Sequence, residues 1–258
     1  MRVCAKQVKL GYLVTGAVAL GLLLVFVFQG YYPGGMNDFV NLATPVVAGA
    51  AALTAFLTGR RYGLRSKEGF GKAWQYFVVG IATWFVAEVV YSYYVLALNV
   101  PLPYPSAADA FYLAGYLFFF LGYVHYMKVF SGSVRRANLI VGLAVVAVAA
   151  VVVGAYSVAP LVASSGSALA KALDVVYPGL DLALFAAVVI GFGVLRSGTL
   201  GKAWLLLNLA VVIDVAADVA YSYSAANGSF AYGSASDLMY LWGYLLLALA
   251  FYVHGSEL

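Results

Sequence analysis

Long apolar segments follow one another along the chain, separated by short polar stretches. A helix needs about 20 residues to cross a hydrocarbon core, and eight segments reach that length. They are 10–29, 38–58, 72–97, 107–130, 138–157, 171–195, 203–223 and 236–254. The pattern predicts an all-α integral membrane protein with eight transmembrane helices and no separate soluble domain.

Composition agrees with this prediction and narrows the range of partners. Hydrophobic residues make up 65% of the chain and charged residues only 9%, against about 25% charged residues in soluble domains. The net charge is +4, but the basic residues lie in terminal segments and short loops, so we expect a lipid bilayer as partner and no nucleic acid. The single cysteine, Cys4, allows neither an intramolecular disulfide nor a thiolate metal cluster.

The distribution of lysine and arginine predicts the orientation, because cytoplasmic loops hold an excess of these residues. Thirteen of the fourteen fall on one side of the predicted helices, and only Lys171 falls on the other. The thirteen are Arg2, Lys6, Lys9, Arg60, Arg61, Arg65, Lys67, Lys72, Lys128, Arg135, Arg136, Arg196 and Lys202. We expect a multi-pass protein of the cell membrane whose N-terminus and C-terminus are both cytoplasmic.

The chain contains an internal repeat. The stretch "YPSAADAFYLAGY" at 104–116 returns as "YGSASDLMYLWGY" at 232–244. Upstream, "GKAW" occurs at 71–74 and 201–204, and "EVVYSY" at 88–93 matches "DVAYSY" at 218–223. These matches predict two tandem four-helix repeats, 1–133 and 134–258. Because four is even, the two repeats have the same orientation and form a parallel repeat about an axis along the membrane normal.

Several repeated residues have structural explanations. Ser106 and Asp109 have the spacing of a helix capping box, and Ser234 and Asp237 repeat it. Tyrosines four residues apart recur in both copies and are typical of an aromatic belt at the membrane interface. A glycine lies between the tyrosines of each pair and permits close helix packing. The tyrosines are Tyr112, Tyr116, Tyr240 and Tyr244, and the glycines are Gly115 and Gly243.

Acids inside predicted helices point to function. Glu88 and Asp218 occupy matching positions, and an ionisable side chain there costs about 2.5–3.5 kcal/mol on insertion scales. Tyr91 and Tyr221 follow three residues later and are predicted to donate hydrogen bonds to these acids. The second copy adds an acid, Asp214, where the first copy has a tryptophan, and a further set on one helix face: Asp174, Tyr177 and Asp181.

Packing the repeats about a pseudo-twofold axis would bring these groups together in an acidic, tyrosine-lined pocket that opens outward. The predicted ligand-binding residues are Glu88, Tyr91, Asp109, Asp181, Asp214, Asp218, Tyr221 and Asp237. Paired carboxylates in a low dielectric share a proton or bind a cation, and a divalent cation is one candidate cofactor. Buried acids that are protonated and bonded to tyrosines fit the sequence equally well.

The two histidines, His125 and His254, occupy matching positions near the cytoplasmic ends of the fourth and eighth helices. A matched pair fits a bis-histidine haem site. Interfacial histidines within an aromatic belt explain the pair better, because the sequence places no other soft ligand nearby. We therefore expect no haem.

The segment from Glu88 to Leu113, "EVVYSYY…VPLPYPSAADAFYL", resembles the multi-pass N-terminal membrane regions of bacterial diguanylate cyclases and sensor kinases. There, an acid and a tyrosine at a helix end precede a proline-rich loop and a Phe-Tyr-Leu helix. The resemblance implies an outward-facing sensor of a ligand or signal. The output domain of that family has no counterpart in this sequence, so we expect a partner to carry the signal.

A fainter similarity is to the eight-helix lysoplasmalogenase-like membrane hydrolases. It implies that Glu88 and Asp218 act as general acid and base on a vinyl-ether lipid, with His125 as an accessory group. Here Glu88 replaces the aspartate that the family uses.

Three functions are therefore open: a binding protein for a small ligand or cation that serves sensing, a lipid hydrolase, and a cation- or proton-coupled carrier. The first is favoured over an enzyme, since the sequence shows no P-loop, no nucleotide-binding glycine fingerprint and no His-Glu-x-x-His motif.

Overall fold

A computed structural model describes residues 2–61, 69–129, 136–160, 167–192 and 201–257. Regular structure in these ranges is helical throughout, and they contain no β-strand. Each of the eight long helices includes a segment long and apolar enough to cross a membrane, which confirms the predicted class. The helices are α1 (Arg2–Val27), α2 (Gly35–Arg61), α3 (Gly69–Ser92), α4 (Ala107–Val129), α5 (Arg136–Val153), α6 (Ala168–Phe192), α7 (Gly201–Ala226) and α8 (Ala235–Glu257).

The predicted segments fall on these helices with shifts of a few residues at their ends. The segment predicted at 38–58 is the helix Gly35–Arg61, and that at 236–254 is the helix Ala235–Glu257. Helices extend past their apolar stretch because polar and basic side chains near the ends are compatible with helix and reach the interface. The ends predicted at 130 and at 193–195 lie outside the described residues.

Hydropathy does not show the irregular turns that follow two helices. α3 passes directly into a π-helical turn, Tyr93–Ala97, and α5 passes into another, Gly154–Val158. α2 and α6 each contain an internal proline, Pro45 and Pro178. Turns and prolines of this kind interrupt the regular hydrogen-bond ladder, and they change which side chains of a helix face its neighbours.

Six of the helices contact one another in a closed circuit, which we term the ring. α2 packs against α3, α3 against α4, α4 against α6, α6 against α7, α7 against α8, and α8 against α2. The remaining two lie outside it, α1 against α8 and α5 against α6. Few residues of α1 and α5 are buried, so these two helices leave most of their apolar surface exposed.

Aromatic side chains fill the ring over part of its length. Phe77, Phe119 and Tyr123 are fully buried, and the Tyr126 ring stacks on the Trp204 indole with centroids 3.9 Å apart. Close helix approach depends on Gly115, because a Cβ atom there would lie 2.0 Å from Cδ1 of Trp84. The packing role predicted for this glycine is confirmed.

The helix ends form two groups. Seven exposed basic residues lie at one end of the helices, which we term the basic end: Lys9, Arg60, Arg61, Lys72, Lys128, Arg136 and Lys202. The opposite end carries residues 98–106, which include Pro101, Pro103 and Pro105 and are termed the proline loop. Of the other basic residues in the predicted cytoplasmic loops, Arg65, Lys67, Arg135 and Arg196 lie outside the described residues.

Candidate functional site

A cavity of about 360 Å³ lies inside the ring near the proline-loop end. Its walls come from α3, α4, α6, α7 and α8, and the proline loop contributes Leu102 and Tyr104 at its mouth. The lining is dominated by carboxyl groups and phenol rings. The acids are Glu88, Asp109, Asp174, Asp181, Asp214 and Asp218, and the tyrosines are Tyr91, Tyr104, Tyr112, Tyr116, Tyr177, Tyr221, Tyr240 and Tyr244.

Seven of the eight predicted ligand-binding residues line this cavity, namely all except Asp237. Asp237 instead lines a smaller pocket of about 60 Å³, which shares Glu88, Tyr91 and Tyr221 with the main cavity. The structure thus brings seven of the predicted residues together in one cavity and places Asp237 in the adjoining smaller pocket.

Tyr116 of α4 joins two acids of the second half of the chain. Its hydroxyl oxygen lies 2.6 Å from Oδ1 of Asp181 and 2.7 Å from Oδ2 of Asp218. A phenol has one proton, so Tyr116 can donate to only one of these carboxyls. A fully satisfied arrangement therefore has a proton on the other carboxyl, which donates to the phenol oxygen.

The tyrosines of α8 bind the matching pair of helix acids. Tyr240 donates to Oδ1 of Asp218 at 2.5 Å, and Tyr244 donates to Oε1 of Glu88 at 2.8 Å. The aromatic belt predicted for these residues is wrong for Tyr116, Tyr240 and Tyr244. Their hydroxyls point into the protein because each finds a carboxyl on a facing helix.

The predicted bonds within α3 and α7 are also wrong. The Tyr91 hydroxyl lies 3.2 Å from that of Tyr232, and the Tyr221 ring packs edge-on against Phe230 at 4.9 Å. A tyrosine hydroxyl extends farther from the backbone than a carboxyl three residues earlier on the same helix. Partners from residues 227–234, the loop that connects α7 to α8, therefore replace the predicted neighbours.

Asp109 has both a structural role and a place in the cavity. Its Oδ2 accepts from the Ser106 amide at 2.6 Å, and the Ser106 hydroxyl accepts from the Ala108 amide at 3.2 Å. These contacts confirm the predicted helix cap. Its Oδ1 accepts from the Tyr177 hydroxyl at 2.7 Å, so the residue that begins α4 also ties α4 to α6.

Tyr104 of the proline loop closes one side of the cavity mouth. Its hydroxyl donates to Oδ1 of Asp174 on α6 at 2.9 Å. Partial burial, reinforced by this hydrogen bond and by the nearby Asp174 charge, raises the pKa of Tyr104 above its ordinary value. Tyr104 therefore stays a hydrogen-bond donor to Asp174 through neutral pH and beyond.

The two halves differ most at one pair of matching positions in the cavity wall. In the first, Trp84 lies over Gly115 and donates its indole N–H to the Tyr112 carbonyl at 3.1 Å. In the second, Asp214 lies beside Gly243, where an added Cβ atom would be 3.9 Å from Oδ1 of Asp214. Exchange of an indole for a short carboxyl leaves more space on the side of the second half.

The two histidines pack against different aromatic residues. His254 is buried and stacks on Trp74 with centroids 3.8 Å apart, whereas His125 stacks on Tyr76 at 5.1 Å. The two histidine rings thus pack on different aromatic side chains of α3. In the part of the chain that the structure describes, no group of three or more His, Cys, Asp or Glu side chains is placed to hold a metal ion.

Sequence reasoning missed the tyrosines that hold the acids, although it noticed their spacing. The signal was present: a pair of tyrosines four residues apart occurs in both copies.

In comparisons with protein-family models, curated proteins and solved structures, the chain matches none of them.

Proposed function

We propose that this protein binds a small, positively charged ligand in the cavity within the ring and serves in sensing. One observation carries the proposal: six carboxyl groups line the cavity, and none of the described lining residues is a lysine, an arginine or a histidine. Burying several acids without a basic partner is costly, and a bound cation offsets that cost. Aromatic rings add cation–π attraction to the same ligand.

The size of the cavity favours a small ligand. Sites for small molecules span about 300–1,000 Å³, and about 360 Å³ lies at the lower end of that range. Its acid groups are half-buried or buried rather than spread over an open surface, so a ligand would be enclosed by protein on most sides.

Helix contacts support the proposal that the chain is a tandem repeat with the cavity between its halves. Each helix can be compared with the helix four places later in the chain, where the count continues from α8 to α1. The α2–α3 contact then corresponds to α6–α7, the α3–α4 contact to α7–α8, and the α2–α8 contact to α6–α4. All six contacts are present. The outer helices break the symmetry, because α1 packs on α8 whereas α5 packs on α6.

The basic residues support an outward-facing cavity. We assign the basic end to the cytoplasm by the positive-inside rule, and in this orientation the proline loop and the cavity mouth lie on the outer side. Such a site samples molecules outside the cell. Signal transfer to a cytoplasmic or membrane partner, which the resemblance to sensor regions implies, belongs to the same proposal.

The hydrolase and carrier alternatives use the same acids. In the structure, Oδ1 of Asp218 accepts a hydrogen bond from Tyr240, and its Oδ2 shares the Tyr116 hydroxyl with Asp181. Glu88 accepts a hydrogen bond from Tyr244. A general base needs a free oxygen directed at water or substrate, and Asp218 offers none. This arrangement favours binding over hydrolysis.

The test is thermal unfolding of the detergent-purified protein with matched probes: benzylammonium, tetramethylammonium, Ca²⁺ and benzoate. We expect at least one cation to raise the unfolding midpoint with its concentration, as mass action requires, and benzoate to have no effect. Glu88→Gln and Asp218→Asn should weaken this shift. Asp38→Asn is the control, because Asp38 is exposed at the same end of the ring and does not line the cavity.

Two further outcomes separate the alternatives. Consumption of a vinyl-ether lysolipid by the wild-type protein, but not by Glu88→Gln, would make it a hydrolase. Uptake of a probe into sealed liposomes along a proton gradient would make it a carrier. If no cation shifts the midpoint and both acid variants unfold like the wild type, the proposed function is wrong.

A further inference from the structure

Asp214 differs from the other acids of the cavity in its contacts. Glu88, Asp109, Asp174, Asp181 and Asp218 each accept a hydrogen bond from a tyrosine. Asp214 lines the cavity and is half-buried, yet no described residue donates a hydrogen bond to it. Its carboxyl therefore faces the cavity with acceptors that no protein group uses, and a donor on a ligand can reach them.

The residues around Asp214 are occupied with other partners. Tyr116, Tyr240 and Tyr244 are its aromatic neighbours, and their hydroxyls bind Asp218, Asp181 or Glu88 instead. The charged groups that face Asp214 are Asp218 and Glu88, both acids. Within the described chain, nothing near Asp214 neutralises its charge.

Asp214 also marks where the two halves stop being alike. The matching position in the first half is Trp84, whose indole fills the space over Gly115 and has a hydrogen-bond acceptor of its own. Trp84 is almost fully buried but contributes to the cavity lining. A ligand between these two positions therefore meets apolar indole surface on one side and a carboxyl with unused acceptors on the other.

We infer that Asp214 binds the protonated amino group of a small amine that carries an apolar or aromatic body. This inference rests on the proposed function and names the ligand class of the same site. The ammonium N–H groups donate to the two oxygens of Asp214 in charge-assisted hydrogen bonds. The body of the amine lies against Trp84 and the tyrosine rings.

Competing cations fit this site less well. Calcium takes six to eight oxygen ligands, whereas six of the twelve carboxyl oxygens here already lie within hydrogen-bond distance of tyrosine hydroxyls. The described residues also form no metal-binding group. A quaternary ammonium ion can use the aromatic rings but has no N–H to donate. With such a ligand, Asp214 would still have no hydrogen-bond donor.

The experiment is calorimetric titration of the detergent-purified protein at one fixed pH with four probes: benzylammonium, tetramethylammonium, benzyl alcohol and Ca²⁺. We expect benzylammonium to bind more tightly than the other three. Asp214→Asn should weaken its binding about 10- to 100-fold, since a hydrogen bond to a charged group is worth about 1.5–3 kcal/mol. Asp38→Asn should bind benzylammonium like the wild type.

The outcomes distinguish this inference from the proposed function. If Asp214→Asn binds benzylammonium as tightly as the wild type while Glu88→Gln and Asp218→Asn lose it, the cavity binds cations but Asp214 is not the anchor. If tetramethylammonium or Ca²⁺ binds as tightly as benzylammonium, the amine class is wrong. Failure of all four probes overturns both proposals. The helical circular dichroism signal verifies that each variant is folded. If Asp214→Asn does not fold, Asp214→Ser is used in its place.

Discussion

The hydroxyl of Tyr116 on α4 lies 2.7 Å from Oδ2 of Asp218 on α7. The two residues come from different predicted repeats, and Tyr116 itself is almost fully buried. Its second contact, 2.6 Å to Oδ1 of Asp181, makes this phenol the link between one helix of the first half and two helices of the second. A single hydroxyl therefore joins three helices of the cavity wall.

Removing that hydroxyl with Tyr116→Phe should destabilise the protein by about 1–3 kcal/mol, because two interior carboxyls lose a shared partner. The change is measured as a lower unfolding midpoint in detergent. Tyr93→Phe is the control, since Tyr93 is exposed and should leave the midpoint unchanged. Equal midpoints for Tyr116→Phe and wild type would show that the link contributes nothing to stability.

The two matched glycines should respond differently to alanine. Gly115→Ala puts a Cβ atom 2.0 Å from Cδ1 of Trp84 and should cost about 1–3 kcal/mol through overpacking. Gly243→Ala meets nothing closer than 3.7 Å and should be neutral or slightly stabilising, since alanine favours helix. Unfolding midpoints of the two variants measure the difference, and a Gly243→Ala as unstable as Gly115→Ala would contradict the packing described.

Tyr104 should ionise at a higher pH than a free tyrosine, whose pKa is about 10. Burial and the Asp174 hydrogen bond both raise the pKa of Tyr104, so any stability that depends on the neutral phenol is present below pH 10 and falls as the pH rises further. Asp174→Asn should move this ionisation to lower pH. The difference in tyrosinate absorbance between wild type and Tyr104→Phe isolates the residue, and an unchanged titration in Asp174→Asn would contradict the assignment.

Labelling with a membrane-impermeant maleimide tests the orientation. In a Cys4→Ser background, Asn227→Cys places a thiol on the exposed turn that follows α7, at the proline-loop end. Intact cells should label it, while Lys72→Cys in the same background, exposed at the basic end, should react only after the membrane is permeabilised. The reverse pattern would place the basic end outside and would leave the cavity facing the cytoplasm.

The fold could be predicted to the level of eight helices because a membrane imposes a minimum apolar length on each span. Helix ends were less certain, since residues such as Arg61 at the end of α2 are compatible with both helix and loop. The π-helical turn at Tyr93–Ala97 had no visible signal, because a single inserted residue changes backbone pairing without changing hydropathy.

The membership of the site could be predicted, but its hydrogen bonds could not. Spacing along one helix shows which residues share a face, so Asp214 and Asp218 were placed together. It does not show which facing helix supplies a partner. Tyr244 was therefore assigned to an interfacial belt although it binds Glu88, 156 positions earlier in the chain.

Pro45 and Pro178 lie inside α2 and α6, and each has a mechanical consequence. A proline has no amide proton, so the carbonyl four residues earlier loses its helical donor. Those carbonyls belong to Asn41, beside the smaller pocket, and to Asp174, at the main cavity. The missing hydrogen bond lies at the level of the smaller pocket in α2 and of the main cavity in α6. We expect each helix to bend there more readily than an uninterrupted helix would.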